Sequence, residues 1–223
     1  MKKTVITIGR ENGSGGRHVG EELAKALNVK CYDKELLLET AKTSGFDANF
    51  IAENEERKPQ FFWGTGAFYM YEQPVSVQLY VEQSKIIKEL ADREPCVIVG
   101  RCSDYVLAEN ENVLNVFIHA PLDERIERVA KRESVTQDKA KSIVTKTDKA
   151  RASYYSYFTG KIWGNAKNYH LSLDSSMLGI DGCVKAIMAC LDIINNEQYN
   201  RKLIKKRRLT TVRRRFLIYG NPN

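Results

Sequence analysis

The sequence has no apolar run long enough to cross a bilayer. Its longest, Ala186–Leu191, is six residues, where a span needs roughly 18–20. It also lacks the apolar centre of a secretory leader, because Met1-Lys2-Lys3 is followed only by Thr4-Val5-Ile6-Thr7-Ile8 before a glycine. The five cysteines, at 31, 96, 102, 183 and 190, are odd in number and form no CxxC pair. That pattern supports neither a disulfide framework nor a zinc site. At least three of them stand in apolar stretches, where cysteine serves as a small core residue. The expectation is a reduced, cytoplasmic protein with no membrane span and no side chain set aside as a metal ligand. No internal repeat is present, and acid is missing from one end: residues 200–223 hold nine Lys/Arg and no Asp or Glu.

That missing acid explains the net charge. The whole chain is +7 over 223 residues, yet residues 1–199 carry 26 basic and 28 acidic side chains, a net of −2. The body is near neutral and the basicity is a tail. With 43% hydrophobic and 28% charged residues, the body can bury a sizeable core, and its length suits one domain with small lids.

Along residues 1–199, strand-like and helix-like segments alternate. Residues 4–8 read as a strand closed by glycines. Val19, Leu23 and Leu27 recur at helical spacing, and Val29–Asp33 is a short strand. Residues 34–42 look helical, 45–75 form an aromatic, loop-rich stretch, and 75–93 read as a long helix. Cys96–Val99 is an unbroken apolar run closed by Gly100, as expected of a parallel strand covered on both faces. Val113–Ile118 and Tyr169–Leu173 are further strands. A helix follows Pro121 with Asp123 and Glu124 in its first turn, where acids suit the helix dipole. Ile180, Val184, Ile187, Met188, Leu191 and Ile194 mark another helix. The alternation predicts an α/β fold with a mostly parallel sheet.

The most informative stretch is Gly9-Arg10-Glu11-Asn12-Gly13-Ser14-Gly15-Gly16-Arg17-His18, between a strand and a helix. Glycines there let backbone N–H groups converge on an anion, and the helix N-terminus adds roughly half a positive charge. Two phosphate-binding patterns compete. The dinucleotide fingerprint wants a glycine where His18 stands, although Asp33 falls about where a ribose-binding acid would. The P-loop pattern wants lysine at Gly16 and a hydroxyl directly after it, and neither Arg17 nor His18 carries one. A tight turn with no ligand is the third alternative.

Four longer pieces carry a resemblance: ITIGRENGSGGRHVGEELAKAL, VIVGRCSDYVL, NVFIHAPLDERIERV and TDKARASYYSYFTGKIWGNAKNYHLSLDSSMLGID. In order and spacing they resemble the cytidylate kinase-like family, a nucleoside monophosphate kinase branch of the P-loop NTPases, over roughly residues 4–195. The resemblance implies a P-loop NTPase fold with a five-stranded parallel sheet flanked by helices. It places an acceptor-binding insertion at 45–75 and a lid-like region at about 122–165. It implies a kinase that uses ATP and Mg2+, with CMP the first acceptor candidate. A nucleotide-binding protein with weak or no kinase activity, and a kinase for another small phosphate acceptor, are the alternatives.

The same resemblance distributes roles. Gly13, Ser14, Gly15, Gly16, Arg17 and His18 would cradle the donor's phosphates, with Arg17 the nearest cation to the absent lysine. Asp33 would orient the acceptor or sit near the metal's waters; a helix N-cap before Lys34 is its other reading. Arg101 would hold the acceptor's phosphate. Asp148 would accept from the acceptor's base, and Arg151 would contact its edge or phosphate, unless the two form a solvated ion pair on a helix. Among Arg125, Arg128 and Arg132, at least one would close over the transferred phosphoryl, with Arg132 the catalytic candidate; interleaved Glu124, Glu127 and Glu133 also fit an ordinary charged helix face. Lys34 and His119 replace residues that family members use toward the nucleotide, which weakens the inference to CMP. The aromatics of 61–71 could stack on a base or form the core of a flap. For the tail, three readings stay open. It packs on the body or on a second copy of the chain, it binds nucleic acid or an anionic surface, or it is an unconstrained extension.

Overall fold

In the computed structural model, residues 4–33 and 75–196 are described. Five parallel strands form one sheet: β1 (Val5–Arg10), β2 (Lys30–Tyr32), β3 (Cys96–Val99), β4 (Val113–His119) and β5 (Leu171–Asp174). Their order is β2-β3-β1-β4-β5. Ile8 pairs with Val99 on one side and Val116 on the other, so β1 is the central strand. All four β3 residues are fully buried, as an apolar run in a sheet covered on both faces requires.

The helices are α1 (Gly16–Leu27), α2 (Val75–Arg93), the single turn α3 (Ser103–Val106), α4 (Leu122–Glu133), α5 (Gln137–Thr159) and α6 over residues 175–196. Val19 and Leu23 turn the apolar stripe of α1 onto the sheet. Close helix–strand packing comes at Gly20, where a Cβ would stand 2.9 Å from Val99 Cγ2. The exposed His18, two residues earlier, is not called on for it. On the β2–β3 side, Ile86, Ile87, Leu90 and Ala91 of α2 pack with Tyr32, Cys96 and Ile98.

Helices α4 and α5 form a hairpin. Ser134 adopts a left-handed conformation at the end of α4, and Thr136 caps α5 by accepting from the Lys139 N–H. Ile126 and Val129 meet Ala140 and Val144 inside the hairpin. The 23 residues of α5 carry few large apolar side chains, so the sequence shows this helix poorly. The last strand begins at Leu171 rather than Tyr169: the Asn115 N–H donates to His170 Nδ1, and the Tyr169 ring packs against Phe117.

No helix among the described residues is long and apolar enough to cross a membrane. All five cysteines are free thiols; Cys96, Cys102 and Cys183 are buried. The chain divides into two compact units, Met1–Val184 and Lys185–Asn223. The first holds the sheet and everything described below; in the second, residues 185–196 are helical.

Candidate active site

The site is built at the carboxyl ends of the parallel strands, where a doubly wound sheet opens its ligand crevice. Strand β1 ends at Arg10, and the chain turns through Glu11–Gly15 into α1. Gly13 and Gly15 have φ of 82° and 78°, a conformation that side chains disfavour. Space is missing too, since a Cβ on Gly13 would lie 2.7 Å from the Arg125 carbonyl oxygen. No side chain caps α1 at Gly15, which leaves the helix terminus suited to an anion.

The loop's shape is fixed from the α4–α5 hairpin. Arg125 is buried, donates from Nε to Ala120 O at 2.9 Å and from Nη1 to Asn12 O at 3.1 Å, and pairs with Glu11 and Asp148. Asp148 Oδ1 in turn accepts from the Asn12 N–H at 2.8 Å. Arg128 donates to Ser175 Oγ at 3.0 Å, and that hydroxyl donates to Ser14 O. Ser14 is buried, and its own hydroxyl donates to Glu11 O at 2.9 Å.

This arrangement corrects two expectations. Arg125 is no part of an exposed helix face. Asp148 does not form a solvated pair with Arg151. Its two oxygens are engaged by Arg125 and the Asn12 amide, so it holds the loop.

In front of the loop lies a cavity of about 650 Å³, lined by Gly13, Gly15, Arg17, Asp33, Arg132 and Arg151 among others. Arg17 Nε stands 2.9 Å from Glu21 Oε1 and 3.2 Å from Asp33 Oδ2. Asp33 therefore has Arg17 as an ionic partner; its alternative role as an N-cap depends on residues after 33, outside those described. His18 is exposed, with Nδ1 3.3 Å from Glu21 Oε2. Arg132 is at the cavity wall with Nε donating to Glu133 at 2.9 Å. Among the described residues no three His, Cys, Asp or Glu side chains converge as a metal-binding group.

A second, narrow pocket opens beside the first. Its walls are Gly9, Arg10, Gly100–Cys102, Asp104, Arg151 and the aromatics Tyr154, Tyr155, Trp163 and Tyr169. Gly100, Arg101 and Cys102 have φ of 80°, 59° and 52°. Two non-glycine residues in succession in the left-handed region mark stored strain of the kind found at functional sites. Arg101 is buried, and burial, followed by the charges of Arg10 and Arg151, pulls its guanidinium down to about 9, with Asp33 opposing.

At the pocket floor the Tyr155 hydroxyl donates to Asp104 Oδ2 at 2.6 Å. Burial pushes Asp104 up and, with that carboxylate near, raises Tyr155 and Tyr169 as well. Tyr154 and Tyr155 pack with Cys102, while Tyr80 stacks on Phe158 with centroids 4.1 Å apart.

The structure thus brings Arg101 and Arg151 to one pocket and Gly13, Gly15, Gly16, Arg17, His18, Asp33, Arg132 and Arg151 to the other. Arg10, Asp104 and Tyr169 were missed in the sequence. Arg10 was open to discovery, because it ends the central strand just before the glycine loop. The aromatic stretch 61–71, Lys34 and the basic tail lie outside the described residues.

A parallel sheet of this order, with a glycine loop leading from the central strand into α1, is the framework of the P-loop kinases. Solved structures of shikimate kinase from Bacteroides thetaiotaomicron (TM-score 0.53, 14% identity) and of a gluconokinase from Sinorhizobium meliloti 1021 (TM-score 0.52, 16% identity) share the fold. They cover 85% and 89% of this chain and 98% and 97% of their own chains. A structure of an uncharacterized protein from Eubacterium ventriosum is more similar, with a TM-score of 0.67 and 28% identity over 85% of this chain and 98% of that one.

The protein therefore has the fold of the P-loop kinases. More narrowly, residues 5–177 match the cytidylate kinase-like family, and the chain belongs to it. Among its relatives, the cytidylate kinase of Methanopyrus kandleri is 26% identical over 197 residues, 84% of this chain and 93% of its own. That of Methanocaldococcus jannaschii is 21% identical over 191 residues, 84% and 97% respectively.

Proposed function

We propose that this kinase transfers a phosphoryl group from ATP to a nucleoside monophosphate, with CMP the first acceptor to test. The observation that carries the reading is the meeting of two cavities at the strand ends. One is fronted by the glycine loop, the other is lined by the buried Arg101, and both are lined by Arg10 and Arg151. A donor and an acceptor, each bearing phosphate, fit such a pair of sites.

The loop from Gly13 to Gly16 would take the donor's phosphates, since both left-handed glycines sit where a side chain would clash. Arg101 and Arg151 would hold the acceptor's phosphate. Phosphoryl transfer asks the protein for alignment and charge neutralisation rather than covalent chemistry. A guanidinium is costly to bury, and a phosphate beside it offsets that cost through charge-assisted hydrogen bonds. Magnesium prefers oxygen ligands, a carboxylate or two beside substrate phosphates. His18 supplies none, but Asp33 lines the loop cavity and would hold the ion with the donor, with Glu21 left to Arg17. Bound there, it would neutralise charge on the donor's phosphates.

The test is an ADP-release assay with the full chain, ATP–Mg and a panel of nucleoside monophosphates. Turnover with CMP, or with another monophosphate in the panel, supports the reading. Clear ATP binding without turnover on any of them refutes it and favours a nucleotide-binding protein. Turnover only with a non-nucleotide phosphate acceptor would favour the third alternative.

A further inference from the structure

Position 16 is where a P-loop places the lysine that grips its phosphates, and here it is glycine. The sequence offers Arg17 as the substitute, but Arg17 is held by Glu21 and Asp33. The space beside Gly16 is taken by another cation. A Cβ on Gly16 would stand 2.5 Å from Arg10 Cβ and 3.2 Å from Arg10 Cγ. The stem of Arg10 therefore starts where a side chain at position 16 would start.

The far end of Arg10 is equally well placed. A Cβ on Gly100 would run into Arg10 Nη1 and lie 3.1 Å from Nη2. One long side chain thus extends from Gly16 to Gly100, and both of those residues lack side chains. The Arg10 carbonyl accepts from Arg151 Nη1 at 3.3 Å. The Arg10 charge is close enough to Arg101 to bear on it. Arg10 also lines both the loop cavity and the Arg101 pocket.

We infer that Arg10, from the end of the central strand, supplies the phosphate-gripping cation that other P-loops supply from the first turn of the following helix. This rests on the kinase reading above and deepens it. A lysine at 16 and an arginine at 10 exclude each other, because their Cβ atoms would overlap. The exchange also changes the chemistry of the grip. A guanidinium is a planar fork that bridges two phosphate oxygens, whereas an ammonium is a point charge. From its position between the cavities, Arg10 would contact the phosphoryl group that passes from donor to acceptor.

The experiment uses the full chain and two readouts: calorimetric affinity for inorganic tripolyphosphate, and ADP release with the nucleoside monophosphate panel. Arg10→Gln keeps the stem packed between Gly16 and Gly100 and removes the charge. It should weaken tripolyphosphate at least about tenfold and lower kcat at least about a hundredfold, and in both readouts it should be more damaging than Arg17→Ala. A second variant exchanges the positions, Arg10→Gly with Gly16→Lys, and should recover at least about tenfold of the activity lost in Arg10→Gly alone. The inference is overturned if Arg10→Gln binds tripolyphosphate like the wild type, if Arg17→Ala is the more damaging change, if the exchange recovers nothing, or if the wild type does not bind tripolyphosphate. Wild-type tripolyphosphate binding that depends on Arg10, without turnover of any monophosphate, would instead defeat the nucleotide kinase reading and leave the Arg10 assignment standing.

Discussion

Arg101→Met should make the protein more stable and a poor enzyme. Arg101 is buried, and its folded-state value falls from the ordinary guanidinium range to about 9, first through burial and then through Arg10 and Arg151. Between those two values the unfolded chain binds more protons at this group than the fold does. Stability therefore rises with pH through that window, and below it the folded state bears the whole cost of the charged guanidinium. Methionine keeps an unbranched stem of similar reach without the charge. Replacing buried charge with a well-packed apolar side chain commonly gains about 1–4 kcal/mol. For a chain of this size that is roughly 2–4 °C per kcal/mol, so the melting temperature should rise by several degrees at neutral pH. The opposite holds with ligand: the wild type should gain stability from a nucleoside monophosphate, and Arg101→Met should gain almost none. Its KM for the acceptor should rise by about a hundredfold, as the loss of a charge-assisted phosphate contact implies. Calorimetric melting of both proteins, with and without acceptor, measures both effects. A variant that melts below the wild type without ligand, or retains its ligand-induced shift, would refute the account of Arg101 as a phosphate-binding group held at a cost.

Arg125→Met should act in the other direction, because Glu11 and Asp148 pair with this arginine and Asn12 O and Ala120 O accept from it. Breaking such a buried network costs about 3–5 kcal/mol; urea unfolding checks it, and a loss under about 1 kcal/mol would show that the loop is braced by other contacts. Gly13→Ala must fit a Cβ against the Arg125 carbonyl at positive φ and should lose both stability and ATP affinity; calorimetric titration showing unchanged affinity would mean the loop is not the donor site. Asp104 holds its proton to higher pH in the fold than unfolded. Stability should thus decline as pH rises from the ordinary aspartate value to the raised one, and Asp104→Asn should remove that decline. Urea midpoints of both proteins between roughly pH 3.5 and 7 would contradict this if they run parallel.

Much of the fold was legible along the chain. Cys96–Val99 reads as a buried strand because both faces of a parallel sheet are covered, and α1 and α2 show their apolar spacing. Helix α5 was hard to see, since its buried side chains fall in two separate groups, Ala140 and Val144 in the hairpin and Tyr154 and Tyr155 against Cys102, with a polar stretch between them. Its functional residues were visible as types but not as partners. Asp148 and Arg151 stand three apart on one helix, which suggests a local pair. Yet Asp148 reaches Arg125 and Asn12, while Arg151 reaches Arg10.

By itself the sequence determined the alternation of strands and helices, the glycine loop at the end of the first strand, the absence of the usual lysine, and the confinement of excess positive charge to residues 200–223. These follow from near neighbours, whose spacing and backbone preferences are written in order. Which arginine stands beside which glycine and which carboxylate was decided by the tertiary structure. Arg17 lies next to the empty lysine position in sequence, but Glu21 on the next helical turn and Asp33 after β2 take its charge. Arg10 is six residues from Gly16 and ninety from Gly100 in sequence, yet it fills the space beside both. That happens because parallel pairing sets the ends of β1 and β3 side by side, and because two glycines leave room for one long side chain to extend between them.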